Sequence, residues 1–108
     1  MTETGEASQP SLADIDRVIH EPARLLVMMY LAEVDWADFV FLQAASGLTW
    51  GNLSAHLAKL EEAGYIEVNK QFIQRKPHTM LRLSPIGRQA LQDYRKTMKK
   101  ALDKIEEA

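Results

Sequence analysis

The stretch GLTWGNLSAHLAKLEEAGY, residues 47–65, decides how the rest of the chain is read. Gly47 suits the position just past a helix end, where the backbone turns left-handed. Thr49 is the N-cap candidate of the helix that follows. Leu53, Leu57 and Leu60 recur at spacings of four and three, which gives that helix one buried face. Gly64 stops it. Just upstream, Asp35 is a cap candidate with Asp38 at the third position, and Phe39, Leu42 and Ala45 turn inward. Two helices joined at Gly47-Leu48 by a turn of a few residues make the outline of a helix-turn-helix.

Past Gly64 the period changes. Ile66 and Val68 alternate with Glu67 and Asn69, a strand signature. Leu81 and Leu83 alternate with Met80 and Arg82, a second strand. Between them lies the polar segment Gln74-Arg75-Lys76-Pro77-His78, so a basic loop tips a hairpin, or wing, over about residues 70–82. Ser84 and Pro85 then open a last helix as cap and first residue, running to about residue 107. Leu91, Tyr94, Met98, Ala101 and Ile105 follow at spacings of three and four, with Leu102 beside them. Such a heptad seam pairs with another helix, which makes these six residues the candidate dimer interface.

Upstream, Ser11 caps a first helix whose stripe is Leu12, Ile15, Val18 and Ile19. Pro22 suits the first turn of a second helix, which carries Leu25, Leu26, Met29 and Tyr30 and ends near Val34. Residues 1–10 are polar, hold Gly5 and Pro10, and are expected to be a mobile tail ahead of one domain over 11–108. The order helix, helix, helix, recognition helix, strand, strand, helix is mainly α with a small β-hairpin (α+β). It is the order of a winged helix-turn-helix, whose terminal helices are expected to form a dimer interface.

With 108 residues the chain has room for one modest core, and 46% apolar residues suffice to fill it. The absence of cysteine rules out disulfides, thiolate metal sites and a cysteine nucleophile, and fits a cytoplasmic location. No secretory signal is visible at the N-terminus, and the longest apolar stretch falls far short of a membrane span. The net charge of −2 hides a strong asymmetry. Residues 1–47 carry eight acidic and two basic side chains, net −6; residues 48–100 carry ten basic and four acidic, net +6. No acidic residue lies between Val68 and Gln92, where Lys70, Arg75, Lys76, Arg82 and Arg88 stand. Binding a polyanion needs a local positive face, not a positive total.

The segment Leu48 to Tyr65 resembles the winged-helix regulators of the MarR/ArsR-like superfamily, and is most similar to the small winged helix DNA-binding domain regulators. The resemblance is carried by Gly47-Leu48-Thr49, Gly51-Asn52-Leu53-Ser54, His56-Leu57, Lys59-Leu60-Glu61 and Ala63-Gly64-Tyr65. It continues through Lys76-Pro77, Thr79, Leu83-Ser84 and Gly87-Arg88, and spans roughly His20 to Tyr94. The chain departs from the family at Gln71 and Gln74, where the family often has glycine. The resemblance implies a homodimeric, DNA-binding transcriptional regulator.

On that reading the helix over about 49–63 enters a major groove with its first turn and one exposed face. Since the leucines face the core, Thr49, Trp50, Gly51, Asn52, Ser54, Ala55, His56 and Lys59 are left for DNA, and Arg75, Lys76, His78 and Thr79 for the wing. Each has an alternative. Thr49 can serve only as cap. Gly51, which costs ~1 kcal/mol inside a helix, implies close approach of DNA or of a neighbouring helix. Asn52 can help cap the first turn. His56 can be structural, and Trp50 can pack on the wing or the preceding helix. The expected partners are double-stranded DNA with a pseudo-palindromic operator and a second copy of the chain. No cofactor or metal is expected: His20, His56 and His78 share no ligand spacing, and no motif of a nucleotide-binding loop or hydrolase is present. An effector, if any, has no residue to mark it. The competing reading is a winged helix that binds protein and not DNA, which the acidic N-terminal half favours. An enzyme is the third, with nothing in its support.

Overall fold

The computed structural model describes residues 11–105, so the expected tail over residues 1–10 lies outside the described residues. Four helices surround a small sheet: α1 (Pro22–Ala32), α2 (Phe39–Ser46), α3 (Trp50–Glu62) and α4 (Pro85–Leu102), with strands β1 (Ala37–Asp38), β2 (Ile66–Ile73) and β3 (Lys76–Leu83). The sheet is antiparallel in the order β1-β3-β2. Leu53, Leu57 and Leu60 of α3 meet Ile19, Val27, Met28, Leu31, Leu42, Ile66, Leu81 and Leu83 in one core. Each such side chain taken fully out of water contributes roughly 1.5–3 kcal/mol.

The caps around the helix-turn-helix follow from local chemistry. Gly47 closes α2 with φ 75°, a left-handed conformation that glycine takes without steric cost. Thr49 Oγ1 accepts the backbone N–H of Asn52 at 3.1 Å and starts α3. At the far end of the hairpin, Ser84 makes a corner. Its hydroxyl donates to the Gly64 carbonyl at 2.6 Å and accepts the Gly87 N–H at 2.9 Å, while its own N–H donates to the Tyr65 carbonyl at 3.0 Å. The end of α3, the root of β2 and the start of α4 are thus joined at one point.

Four expectations need correction. Residues 12–14 form only a 3₁₀ turn, not the start of a first α-helix. Asp16 explains this: its Oδ1 accepts the N–H groups of Val18 and Ile19 at 2.9 and 3.1 Å, which fixes a side-chain-capped turn in place of a helical ladder. Ile19 is still fully buried. Asp38, not Asp35, caps α2, accepting the Val40 N–H at 2.8 Å, and Ala37–Asp38 are used to pair with Leu81 and Met80 of β3. The wing turn is only Gln74-Arg75, so Lys76, Pro77 and His78 stand in a strand and not in a loop. Helix α4 ends at Leu102, short of the expected residue 107; residues 106–108 lie outside the described residues.

Gly87 is the tightest point. A β-carbon there would stand 1.9 Å from the Tyr65 carbonyl oxygen and 2.7 Å from its carbon, both backbone atoms that cannot swing aside. Gly87→Ala is expected to lower unfolding stability by about 3 kcal/mol or more, read from the urea midpoint with the slope unchanged. Gly51→Ala meets nothing within 4 Å and is expected to be neutral or stabilising in the same measurement.

Candidate nucleic-acid interface

The leucine face of α3 points inward, so the opposite face is defined by subtraction. Thr49, Trp50, Gly51, Asn52, Ser54 and Lys59 are all exposed. The Thr49 hydroxyl caps this first turn through the Asn52 N–H, and the Asn52 residue is exposed. No atom of a neighbouring element lies within 4 Å of a β-carbon built on Gly51, so a second helix does not account for that glycine. Trp50 divides its ring between two roles: it lies 4.3 Å from the Phe39 ring by centroids, yet 61% of the residue is exposed.

His56 is placed differently from its neighbours. It is half-buried, its Nδ1 lies 3.3 Å from an Arg24 guanidinium nitrogen and 3.8 Å from the Glu21 carboxylate, and it faces the start of α1. Glu21 caps α1 through the Arg24 N–H, and that hydrogen bond, with His56 contributing, holds its carboxyl below the usual range. His56 therefore joins α3 to α1 through its Nδ1 edge.

The basic run of the hairpin also divides. Arg82 stacks 4.5 Å over Trp36 and bonds the Glu67 carboxylate at 2.8 Å, and Arg88 donates to the Ala32 carbonyl at the end of α1 at 3.2 Å. These two cations serve the scaffold. Lys70, Arg75 and Lys76 are exposed and form no ion pair among the described residues. His78 Nδ1 lies 2.5 Å from Asp38 Oδ2 and ties the wing to the cap of α2, while Thr79 is half-buried opposite Lys70. The turn holds Gln74 at φ 52° and Arg75 at φ 69°, the pattern of a type I′ hairpin turn. Gln74 thus occupies a position where glycine would be unstrained, whereas Gln71 sits in regular strand opposite His78 and needs none.

On α4 the expected interface is split. Tyr94 is buried in the chain's own core, its hydroxyl 2.7 Å from His20 Nδ1, and burial pushes that hydroxyl up. Tyr65 is half-buried and hydrogen-bonded to Asp16, and its hydroxyl is pushed up to about 12 by burial and that contact. Leu91, Met98 and Ala101 are half-buried, and only Leu102 and Ile105 are openly exposed. A groove of about 400 Å³, lined by Leu25, Met29, Leu91 and Arg95 among others, runs between α1 and α4. Sequence reasoning missed the exposed apolar pair Phe72 and Ile73 near the wing tip; their strand alternation was the available signal.

A short two-helix turn, an outward-facing polar first turn on its second helix and an adjoining two-stranded basic wing define the winged helix-turn-helix class. The chain belongs to the winged helix DNA-binding domain family, whose sequence profile matches residues 23–102. It is 31% identical over 78 residues to an uncharacterized protein of Methanocaldococcus jannaschii, covering 72% of this chain and 85% of that one. Among solved structures it is similar to a transcriptional regulator homologue from Pyrococcus horikoshii, with a TM-score of 0.77 and 27% identity over 82% of this chain and 87% of that one. A MarR family regulator from Silicibacter pomeroyi (TM-score 0.58, 20% identity, 80% of this chain and 57% of that one) shares the fold. So does the ArsR family regulator RHA00566 (0.59, 18%, 98% and 100%). The family is described as a DNA-binding winged helix, and the Pyrococcus horikoshii protein is described as a transcriptional regulator homologue. Among the described residues no helix is long and apolar enough to cross a membrane, and no group of three metal-ligating side chains occurs.

The His78 contact and the Val40 N–H together hold the Asp38 carboxyl below its ordinary range. A depressed folded-state value means that this carboxylate stabilises the fold fully above about pH 4 and loses that effect as pH falls through the lower, folded value. Asp38→Ala is expected to cost about 1 kcal/mol at neutral pH. Urea midpoints taken across acidic pH should show the gap between the two proteins closing on the acid side.

Proposed function

We propose that the protein is a sequence-specific, DNA-binding transcriptional regulator that acts as a homodimer. The first turn of α3 enters the major groove, and the wing lies along the phosphate backbone or in the adjacent minor groove. The observation that carries this reading is the pairing of two surfaces. Asn52 and Ser54 stand exposed on a helix whose leucines are all turned inward, and Lys70, Arg75 and Lys76 stand exposed on the hairpin that follows it. Asn52 has the amide geometry to read adenine, and Ser54 and Lys59 can reach bases or phosphates. The family membership and the likeness to the Pyrococcus regulator homologue support the same reading.

For the dimer, the support lies at the end of α4. Leu102 and Ile105 are 55% and 70% exposed, and the groove between α1 and α4 offers apolar area nearby. Two-fold symmetry sets half-sites about 10 bp apart or at a multiple of that spacing.

Fluorescence anisotropy on duplex DNA, at low and moderate salt, tests the first part. Binding that weakens steeply with salt is expected, and no binding at low salt would show that the fold serves another partner. Arg75→Ala and Lys76→Ala should each reduce the slope of log affinity against log salt by ~0.9, uniformly across sequences. Asn52→Ala should instead cost ~1–3 kcal/mol on the preferred site and relax the preference at one base pair.

The double variant Leu102→Glu with Ile105→Glu tests the second part. It should sediment as a monomer while keeping the parent protein's circular-dichroism spectrum, and its melting temperature should no longer depend on protein concentration. A variant that sediments as an unchanged dimer would exclude this end of α4 from the interface.

A further inference from the structure

We infer that Phe72 is an apolar wedge, which the wing presses between base steps from the minor-groove side and so bends the duplex. The inference rests on the DNA-binding reading and deepens it.

The hairpin's own register places the residue. Ile66 and Val68, opposite Leu83 and Leu81, put their side chains on the face that covers the core. The same alternation continues outward through Lys70 and Thr79 to Phe72 and Pro77. At that distance from the body no core remains under the face, and Phe72 is 76% exposed. Ile73, on the other face, is 43% exposed. A hairpin tip that only rested on phosphates would have no use for this apolar area, which is a hazard for association when left uncovered.

Charge complementarity names the occupant. Lys70, Arg75 and Lys76 surround the phenyl ring's position in sequence, with no acidic residue from Val68 to Gln92, so the partner is a polyanion. A DNA duplex is a polyanion that offers such a ring a narrow recess: its minor groove is ~6 Å across and walled by sugars and base edges. A two-stranded tip, with strands ~4.8 Å apart before its side chains are counted, enters such a groove only if the groove opens. Wedges of this type open it by partly unstacking a base step.

A wedge must also be stiff. The turn has only two residues, both held at positive φ, and Pro77 stands directly across from Phe72 with its own φ locked by the ring. The free side of β3 at this level lies beyond β1, which pairs only with Met80 and Leu81, so the missing N–H of Pro77 breaks no ladder there. The rigid frame delivers the phenyl ring without first being ordered by the partner.

The test uses the full chain and a mixed-sequence duplex of roughly 30 bp that contains TA steps and carries a dye at each end. Wild-type binding should raise energy transfer between the dyes, as a bend of roughly 20–90° would. Phe72→Ala should bind roughly 5- to 100-fold more weakly and leave the duplex straight. Its salt slope should stay unchanged, since no phosphate contact is lost. Phe72→Leu should keep much of the bend, and both variants should melt like wild type because the side chain is exposed. If Phe72→Ala binds and bends the duplex as wild type does, the wedge is wrong and the DNA-binding reading stands. The wedge is equally excluded if the variant alters only sedimentation or only binding to phosphatidylserine vesicles. A wild-type protein that binds no duplex at low salt overturns both.

Discussion

The Tyr65 carbonyl oxygen occupies the place where a β-carbon on residue 87 would stand, and the close packing of α4 on the root of the wing depends on that contact. It brings the start of α4 against the root of β2, one residue past the glycine that ends α3. Ser84 reinforces the junction from both directions, taking the Gly64 and Tyr65 carbonyls and the Gly87 N–H. The consequence reaches the surface. The end of α3, the root of β2 and the start of α4 meet at this corner, so the exposed face of α3 and the wing are carried on one joined frame. A side chain at residue 87 would push apart two surfaces that it never touches.

Several side chains that look available for recognition are consumed by this scaffold. His56 bridges to Glu21 and Arg24, His78 locks onto Asp38, Arg82 lies between Trp36 and Glu67, and Arg88 caps the end of α1. What remains outward is a smaller set, Thr49, Trp50, Gly51, Asn52, Ser54 and Lys59 on α3 and Lys70, Arg75 and Lys76 on the wing. The division has a physical logic. A cation already paired with a carboxylate gains little by moving to a phosphate, because it must first give up the partner it has. A cation that stands alone in water releases counterions from DNA at almost full effect.

The parts of the fold that are legible in the sequence are those whose causes are local. Thr49 caps three residues ahead, Leu53, Leu57 and Leu60 share one face, and Ile66 and Val68 alternate, so α3 and the base of the hairpin can be placed from the pattern alone. The misplaced parts mostly have distant causes. Asp38 is an internal helix residue by its spacing, and becomes a cap and a strand residue because β3, some forty positions later, offers an edge to pair with. The turn over residues 12–19 has helical spacing, and Asp16 redirects its backbone N–H groups. Arg24 stands 32 positions from His56, and Asp38 stands 40 from His78, beyond the reach of any motif. The seam on α4 is continuous in its spacing, yet its first half, with Tyr94, belongs to the core of a single chain.

Phe72 shows most clearly what alternation can and cannot say. By period it is the fourth member of a series that begins with two core positions, Ile66 and Val68, and period alone predicts burial. Where the core ends is a property of the whole body, not of the strand, and the strand runs two pleats past that limit. The chain also accepts backbone strain at the same tip, with Gln74 and Arg75 both left-handed where an Asn-Gly pair would be relaxed. Strain and exposed apolar surface each work against a quiet, solvated loop. Their coincidence at the end of a basic hairpin is understandable if the tip is shaped for a surface outside the chain: the left-handed turn leaves Arg75 exposed, and the overlong strands carry the Phe72 ring past the end of the core.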